Sequence, residues 1–344
     1  MMNTASCRRW ISTAALLVTA ALAAPAQAAV AISPYSNLFV FGDSLSDSGN
    51  NAAVLFSSPY SDPPFSLSPT LPTQITGNRF VAFTPSSSGT YSNGPVWVDA
   101  VATALLGSAL PARAALLGGT NYASGGAETS LNTPVFGSTV PTFSLQSQVS
   151  FFLGTPGRVV DSGALYVVQG GANNVRRLLA TGAAFNPVTV GQEAAAYAND
   201  VGGLVDQLQS AGAQNIIVWN TPNAGLTPEV LSFGAVAASF ATSISSQFNS
   251  ALATRLAGEV GVKTFDIFGA VGNFSNVTDA CGNGAIGCGA NPQFWDGIHP
   301  TAGAHALIAQ GFLAVATPVP EPSTYAMVLI GLIGCGWAAR RRLS

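Results

Sequence analysis

Short apolar runs, separated by polar and glycine-rich turns, fill the middle of the chain from about residue 29 to 316. Four of them have strand length and are rich in β-branched or aromatic residues. They are Asn37–Phe41, Leu165–Val168, Ile216–Trp219 and Val262–Ile267. Near-continuous apolar character is typical of parallel strands that are buried on both faces. These runs therefore predict a mostly parallel sheet.

A second pattern, with apolar residues at every third or fourth position, predicts helices between the strands. The longest stripe starts at Phe233 and Val236 and continues to Leu256, and shorter ones span Tyr197–Leu208 and Trp97–Leu105. Strands that alternate with helices predict one α/β domain, a three-layer α/β/α sandwich. In such sheets ligands bind at the carboxyl ends of the strands.

The segment from Ser57 to Asn93 breaks this alternation. It is rich in Ser, Pro and Thr and has no clear period. Because a structureless loop of this length is uncommon inside a compact domain, we expect either a linker-like insertion or a functional lid.

The composition at first suggests a membrane protein. Hydrophobic residues make up 48% of the 344 positions and charged residues only 8%, against about 25% charged in an ordinary soluble domain. However, only the two ends of the chain approach the apolar run of about 20 residues that a spanning helix needs. Nucleic-acid binding is disfavoured, because Lys263 is the only lysine and the interior has no basic patch.

Residues 1–28 are typical of a secretory signal peptide. Arg8 and Arg9 precede the apolar stretch Ile11–Ala24, and a small-x-small cleavage site follows at 26–28. An N-terminal membrane anchor is the alternative. Without the two ends, residues 29–320 carry seven basic and 14 acidic side chains, a net charge of −7.

Residues 317–344 have three parts: a Pro-Glu-Pro motif at 320–322, the apolar run Tyr325–Ala339 and an arginine tail at 340–342. The run is marginal for a bilayer of about 30 Å, and we expect a short transmembrane helix with cytoplasmic arginines. This order resembles the PEP-CTERM sorting signal of Gram-negative bacteria, which implies export machinery and a sorting protease as partners. A simple tail anchor is the alternative. Both place the domain in the periplasm, at the cell surface or outside the cell.

Cys281 and Cys288 are the only cysteines between these two ends. In an oxidising compartment an even pair predicts a disulfide. Metal binding is less favoured, because no second Cys or His pair lies at ligand spacing.

Two motifs suggest nucleophilic catalysis. The block at 41–50 places Ser44 just after the first strand, where a serine can start a helix and turn its own N–H toward developing negative charge; a simple helix N-cap is the alternative. A serine hydroxyl needs a base, and the base needs a partner that fixes its tautomer. Asp296 and His299 can share one loop, whereas His305 falls inside the next helix pattern.

Two glycine-rich blocks offer neutral hydrogen-bond donors. The block at 121–127 can bring a backbone N–H close to a ligand, and the block at 170–174 offers a side-chain amide. An oxyanion needs such donors at about 3 Å.

In this order the four blocks resemble those of the GDSL or SGNH hydrolases, over about residues 37–313. The resemblance implies a flavodoxin-like sheet and ester hydrolysis without a metal or other cofactor. Carried over, Ser44 is the nucleophile, His299 the general base and Asp296 its orienting carboxylate. The oxyanion hole is then formed by the Ser44 N–H, the Gly126 N–H and the Asn173 side chain.

Where the family's third block usually ends in Asp, this chain has Asn174, which we expect to support the loop rather than react. The expected function is a secreted serine hydrolase of carboxylic esters. Lipids, short-chain esters and acetylated polysaccharides all remain open as substrates. An acyltransferase that uses the same triad is one alternative, and a non-catalytic, glycan-binding extracellular matrix protein is the other.

Overall fold

The structure of the chain is a computed structural model. It describes residues 33–55, 89–132, 142–274 and 293–317, and, in the C-terminal tail, residues 330–333 and 340. The predicted signal peptide, most of the Ser57–Asn93 segment, the Cys281–Cys288 pair and most of the sorting segment lie outside the described residues. Among the residues described, no helix is both long and apolar enough to cross a bilayer. The transmembrane helix predicted for Tyr325–Ala339 lies mostly outside these residues and stays a prediction.

Four parallel strands form the central sheet, in the spatial order β1-β2-β3-β4. They are β1 (Leu38–Phe41), β2 (Leu165–Val168), β3 (Asn215–Trp219) and β4 (Val262–Phe265). The side chains of β1 and β2 are buried on both faces, as their continuous apolar sequences predict. In β4, Lys263 and Thr264 are exposed.

Residues 120–124 run along the free side of β1. The Tyr122 N–H donates to the Val40 carbonyl at 2.7 Å, and the Ser124 N–H donates to the Gly42 carbonyl at 2.9 Å. This segment lies where a flavodoxin-like sheet has its second strand. The predicted mostly parallel α/β sandwich is thus confirmed.

Nine α-helices lie within the described parts of residues 33–317 and connect or follow the strands. They are α1 (Asn50–Leu55), α2 (Trp97–Leu106), α3 (Leu145–Gly154), α4 (Ala172–Thr181), α5 (Pro187–Ser210), α6 (Pro228–Leu231), α7 (Ala235–Arg255), α8 (Ile267–Gly272) and α9 (Ala302–Ala316). Apolar residues of α3, α4, α5 and α7 cover one face of the sheet. Those of α2, α8 and α9 cover the other face, which completes the three layers.

Aromatic rings join the second layer of helices to the sheet. Trp97 of α2 packs on Trp219 of β3 with ring centroids 4.5 Å apart, and it also contacts Phe312 of α9 at 4.8 Å. Phe265 of β4 packs against Trp219 at 4.8 Å. Large aromatic pairs add specific geometry to the apolar area that they bury, so this cluster fixes α9, which directly follows the loop that contains His299.

The long apolar stripe that the sequence indicates for α7 is only partly buried. Its buried members begin at Ala241, whereas Phe233 and Val236 are 66% and 86% exposed. The stripe is therefore not buried along its whole length. Periodicity identifies a helix face but does not reveal how far a neighbouring element covers it.

Candidate active site

The turn that contains Ser44 follows the end of β1. The N–H groups of Ser46 and Asp47 both donate to the Asp43 carbonyl at 3.0 Å and close this turn. Ser44 itself is 8% exposed. The helix predicted to start at Ser44 begins instead at Asn50, so that expectation was wrong.

Asp47 explains why the helix starts late. Its buried carboxylate accepts the N–H groups of Gly49 at 2.8 Å and Asn50 at 2.7 Å, which fixes the chain just before α1. It also accepts the N–H of Gly125 at 2.9 Å, and so it joins the first glycine-containing block to the second. Burial raises the pKa of Asp47 to about 6, although these backbone donors oppose the rise.

Gln148 holds the start of the same turn from α3. Its amide accepts the Gly42 N–H and donates to the Gly42 carbonyl, both at 2.8 Å, as a neighbouring strand would. A side chain at Gly42 would approach Gln169 Oε1 to 2.6 Å. The two hydrogen bonds therefore fix the backbone of Gly42, and the nearby Gln169 side chain leaves no room for a larger residue there.

Residues 293–301 form the loop that presents the histidine. The Trp295 N–H donates to the His299 carbonyl at 2.7 Å and the Thr301 N–H to the Gln293 carbonyl at 3.0 Å. From outside the loop, the Ser92 hydroxyl donates to the Pro300 carbonyl at 2.9 Å. These bonds leave the loop little freedom to move the His299 ring.

The structure brings together the three residues that the motifs predict. His299 Nε2 lies 2.8 Å from Ser44 Oγ, and His299 Nδ1 lies 2.6 Å from Asp296 Oδ2. Asp296 Oδ1 accepts the His299 N–H at 2.7 Å and the Ile298 N–H at 2.8 Å. Because a carboxylate only accepts, Nδ1 carries the ring hydrogen and Nε2 is free to accept the serine proton.

Tyr91 packs beside this histidine, with ring centroids 5.1 Å apart. Its hydroxyl accepts a hydrogen bond from Asn51 Nδ2 at 2.8 Å, and a side chain at Gly125 would approach the Tyr91 ring to 2.2 Å. Burial, with the nearby Asp47 charge, raises the pKa of Tyr91 well above its usual range, so the phenol stays neutral. No periodic pattern in the sequence indicates a role for this residue.

Asn173 is the second residue of α4, immediately beyond β2. Its side-chain amide donates to the Ala127 carbonyl at 3.0 Å, which places it next to the 121–127 block. Asn173 lines the same cavity as Ser44 and His299. Each amide nitrogen carries two hydrogens, so one remains for a ligand.

Gly126 is the other oxyanion candidate and has a positive φ of 83°. It lies in a turn that the Ala127 N–H closes onto the Ser124 carbonyl at 3.0 Å. Gly126 is partly exposed but does not line the cavity beside Ser44. Asn174 points elsewhere, since its side chain bonds the N–H and hydroxyl of Thr129.

His305 lies apart from this chain of hydrogen bonds. It is buried in α9, and neither ring nitrogen has a hydrogen-bond partner. Burial lowers the pKa of His305 to about 3, and the His299 charge adds to this effect. The ring is therefore neutral near pH 7. In the described part of the chain, no group of His, Cys, Asp and Glu side chains could hold a metal ion.

Residues 38–312 match the sequence model of the GDSL-like lipase/acylhydrolase family. The chain belongs to this family. Residues 318–342 match the PEP-CTERM protein-sorting motif, which indicates export in Gram-negative bacteria. The family is one of carboxylic ester hydrolases, as the four motifs predict.

Two curated proteins are related to the chain over part of their length. It is 29% identical to Lipase 1 of Photorhabdus luminescens over 201 residues, which is 58% of this chain and 24% of that protein. It is 28% identical over 318 residues to an uncharacterized protein from the trpE-trpG intergenic region of Pseudomonas putida, covering 82% of this chain and 49% of that one. The chain thus spans about a quarter of the length of Lipase 1 and about half of the length of the Pseudomonas putida protein.

Solved structures resemble the chain more distantly. LAE5, an α/β hydrolase enzyme from the metagenome of Lake Arreo, is 13% identical with a TM-score of 0.45, covering 81% of this chain and 94% of that one. The acetyl xylan esterase AlAXEase is 10% identical with a TM-score of 0.41, covering 81% and 98%.

Proposed function

We propose that the domain hydrolyses carboxylic esters through a covalent acyl-enzyme on Ser44. The observation that carries this proposal is the continuous path of hydrogen bonds from Ser44 through His299 to Asp296, at 2.8 and 2.6 Å. A purely structural network of polar side chains need not include a hydroxyl that lines a cavity. Ser44 does line one. Membership of a lipase/acylhydrolase family supports the same chemistry.

In the first half of the reaction, Ser44 Oγ attacks the ester carbonyl while its proton moves to His299 Nε2. Asp296 stabilises the imidazolium that forms. The tetrahedral oxyanion accepts hydrogen bonds from the Ser44 N–H and the Asn173 amide, which line the cavity. The proposed third donor is the N–H of Gly126, which precedes the Ala127 carbonyl that Asn173 contacts. The carbon–oxygen bond to the alcohol then breaks, and the alcohol leaves with the proton that His299 returns.

In the second half, water replaces the alcohol. His299 takes a proton from the water as its oxygen attacks the acyl carbonyl, and the bond to Ser44 Oγ breaks as Oγ recovers a proton. The products are one carboxylic acid and one alcohol, and neither half consumes a further reactant. The triad is buried, which strengthens its electrostatic interactions relative to water.

We also propose that the domain acts outside the cytoplasm. The sorting motif at 318–342 supports this placement, as does the predicted signal peptide at 1–28. Fractionation of a Gram-negative host that expresses the full chain tests it. Ester hydrolysis should follow the periplasmic, surface or culture fraction, and activity confined to the cytoplasm would contradict the placement.

Hydrolysis of a short p-nitrophenyl ester tests the catalytic proposal. Ser44→Ala should abolish turnover. Ser48→Ala is the matched control, because Ser48 lies in the same block but its hydroxyl donates to the Ala112 carbonyl instead. Full activity in Ser44→Ala, or equal losses in both variants, would overturn the assignment.

A further inference from the structure

An exposed apolar groove adjoins the cavity beside Ser44. It lies between α4, the turn at 183–185, α6 and the first turns of α7, and its volume is about 710 Å³. Sites for small-molecule ligands commonly have about 300–1,000 Å³. The largest apolar side chains that line it are Leu179, Phe185, Val230, Phe233, Val236 and Phe240.

The groove leaves large apolar side chains in water. Phe185 is 78% exposed, and its ring stacks on that of Phe240 with centroids 5.3 Å apart. Phe233, which precedes α7, and Val236 in its first turn are both exposed and line the same groove. Contiguous exposed apolar surface of this kind marks a binding site more often than isolated apolar residues do.

The groove and the catalytic cavity share part of their lining. Arg176, Glu229 and Val230 line both spaces, and the Arg176–Glu229 ion pair, at 3.1 Å, lies on the boundary. The cavity beside Ser44 has a volume of only about 60 Å³, which corresponds to a few water molecules. A carbonyl group and a few carbons fill it, so a longer substrate extends beyond it, and the groove is an apolar space that shares its lining.

We propose that the groove binds the hydrocarbon chain of a long-chain acyl ester whose carbonyl lies at Ser44. This inference rests on the proposed ester hydrolysis and assigns its substrate class. A sugar chain would lose water from its hydroxyl groups there, and among the lining side chains only Arg176 and Glu229, which pair with each other, could offer hydrogen bonds in return. A hydrocarbon chain gains from the same surface. The groove therefore favours a lipid-like acyl ester over an acetylated polysaccharide.

Burial of hydrocarbon sets the expected size of the effect. Each fully buried CH₂ strengthens binding by up to about fourfold. Chain carbons beyond the small cavity should therefore raise kcat/KM until the groove is filled. We expect at least about tenfold higher kcat/KM for p-nitrophenyl octanoate than for the acetate, measured below micelle-forming concentrations.

Val236→Asp is the decisive variant. The side chain is 86% exposed, so the change costs little folding stability, and an acidic residue in the first turn of a helix is favourable. Val260→Asp is the matched control, because Val260 is 87% exposed but does not line the groove. Val236→Leu is the conservative variant.

We expect Val236→Asp to lower kcat/KM for the octanoate at least about fivefold and for the acetate less than twofold. Val260→Asp should behave as wild type, and Val236→Leu should keep the preference for the octanoate. A wild-type preference for the acetate, or an equal loss on both esters in Val236→Asp, would overturn the inference. The inference would also be overturned if Val236→Asp kept the wild-type chain-length profile but bound anionic phospholipid vesicles more weakly. The groove would then be a membrane-docking surface.

A second readout separates this inference from the proposed function. Binding of a fluorescent dodecanoate needs no catalysis, so Ser44→Ala should bind it as wild type does and Val236→Asp should bind it more weakly. If no ester is hydrolysed but this binding pattern holds, the catalytic proposal fails and the groove assignment stands. If esters are hydrolysed but Val236→Asp binds the probe normally, the groove assignment fails alone.

Discussion

At the scale of single residues, the hydrogen-bond roles of His299 follow from the Asp296 carboxylate, which can only accept hydrogen bonds. Asp296 faces His299 with one carboxylate oxygen and the backbone of its own loop with the other. This arrangement fixes both the tautomer and the rotation of the His299 ring before a substrate binds. With Nδ1 bonded to Asp296, Nε2 is the nitrogen that faces Ser44 Oγ and can accept its proton, which is the condition that a serine nucleophile requires.

Asn173 gives the first prediction at this scale. Asn173→Ala should lower kcat about a hundred- to a thousandfold, because an oxyanion donor acts mainly in the transition state. KM should change little. The side chain is partly exposed, so circular dichroism and the urea midpoint should stay near wild type. A kcat within fivefold of wild type would remove Asn173 from the oxyanion hole.

His305 gives a prediction about pH and stability. Its folded pKa of about 3 lies below the ordinary 6.5, so the folded state binds fewer protons than the unfolded state between these values. Its stabilising contribution is complete above pH 6.5 and is lost as the pH falls toward 3, by about 1.4 kcal/mol per pH unit. Between pH 6.5 and 4.5, the free energy of unfolding of wild type should fall by about 2 kcal/mol more than that of His305→Phe, measured by urea unfolding. Parallel pH profiles of the two proteins would contradict this.

Sequence motifs identified Ser44, Asp296 and His299 because each stands in a short, recognisable block. They did not identify Asp47, Gln148 or Tyr91, which hold the blocks together. Gln148 did leave a signal, since it is a polar residue on the buried side of α3, between Leu145 and Phe152. Tyr91 left none, because its contact with His299 joins parts of the chain that are remote in sequence.

At the scale of elements, the apolar runs predict β1, β2 and β3 to within one residue of their observed bounds. The fourth run was expected to reach Ile267, but β4 ends at Phe265. Asp266 accepts the N–H of Gly269 and thereby caps α8. Local polar capping thus ends a strand that apolar character alone would continue.

A substitution at Gly171 tests whether the junction between β2 and α4 positions Asn173. It has a φ of 101°, and a Cβ there would lie 2.3 Å from Thr221 Oγ1. Gly171→Ala should therefore lower the free energy of unfolding by more than about 1 kcal/mol and reduce kcat as well.

Gly203→Ala is the matched control for this prediction. Gly203 lies inside α5 with open space around its Cβ position. The alanine there should stabilise the protein by about 0.5–1 kcal/mol and leave kcat unchanged. Urea unfolding and kcat of both variants check the pair. Equal behaviour of the two would contradict the strain at Gly171.

At the scale of the whole molecule, the chain combines an ester-hydrolase family domain with a sorting motif. The family match ends at residue 312 and the sorting motif begins at 318. Between them, α9 ends at Ala316, whose carbonyl accepts the Tyr35 hydroxyl at 2.6 Å. The low charge of the domain and its surface groove are consistent with the proposed hydrolysis of apolar esters.

Truncation tests the independence of the domain from its tail. Removal of residues 318–344 leaves α9 complete, with Phe312 and Ala316 still buried in the core. We expect kcat/KM on short esters within twofold of the full chain and the same urea midpoint. A large loss of either quantity would show that the sorting segment is part of the folded domain.

The central claim is that Ser44 is the nucleophile that His299 activates. Treatment with a serine-directed fluorophosphonate, followed by intact mass and peptide mapping, tests it most directly. We expect one adduct, located on Ser44, with hydrolysis lost in proportion to labelling. His299→Ala should label far more slowly, and Ser48→Ala should label normally. An adduct on another residue, or full hydrolysis by the protein labelled on Ser44, would contradict the account.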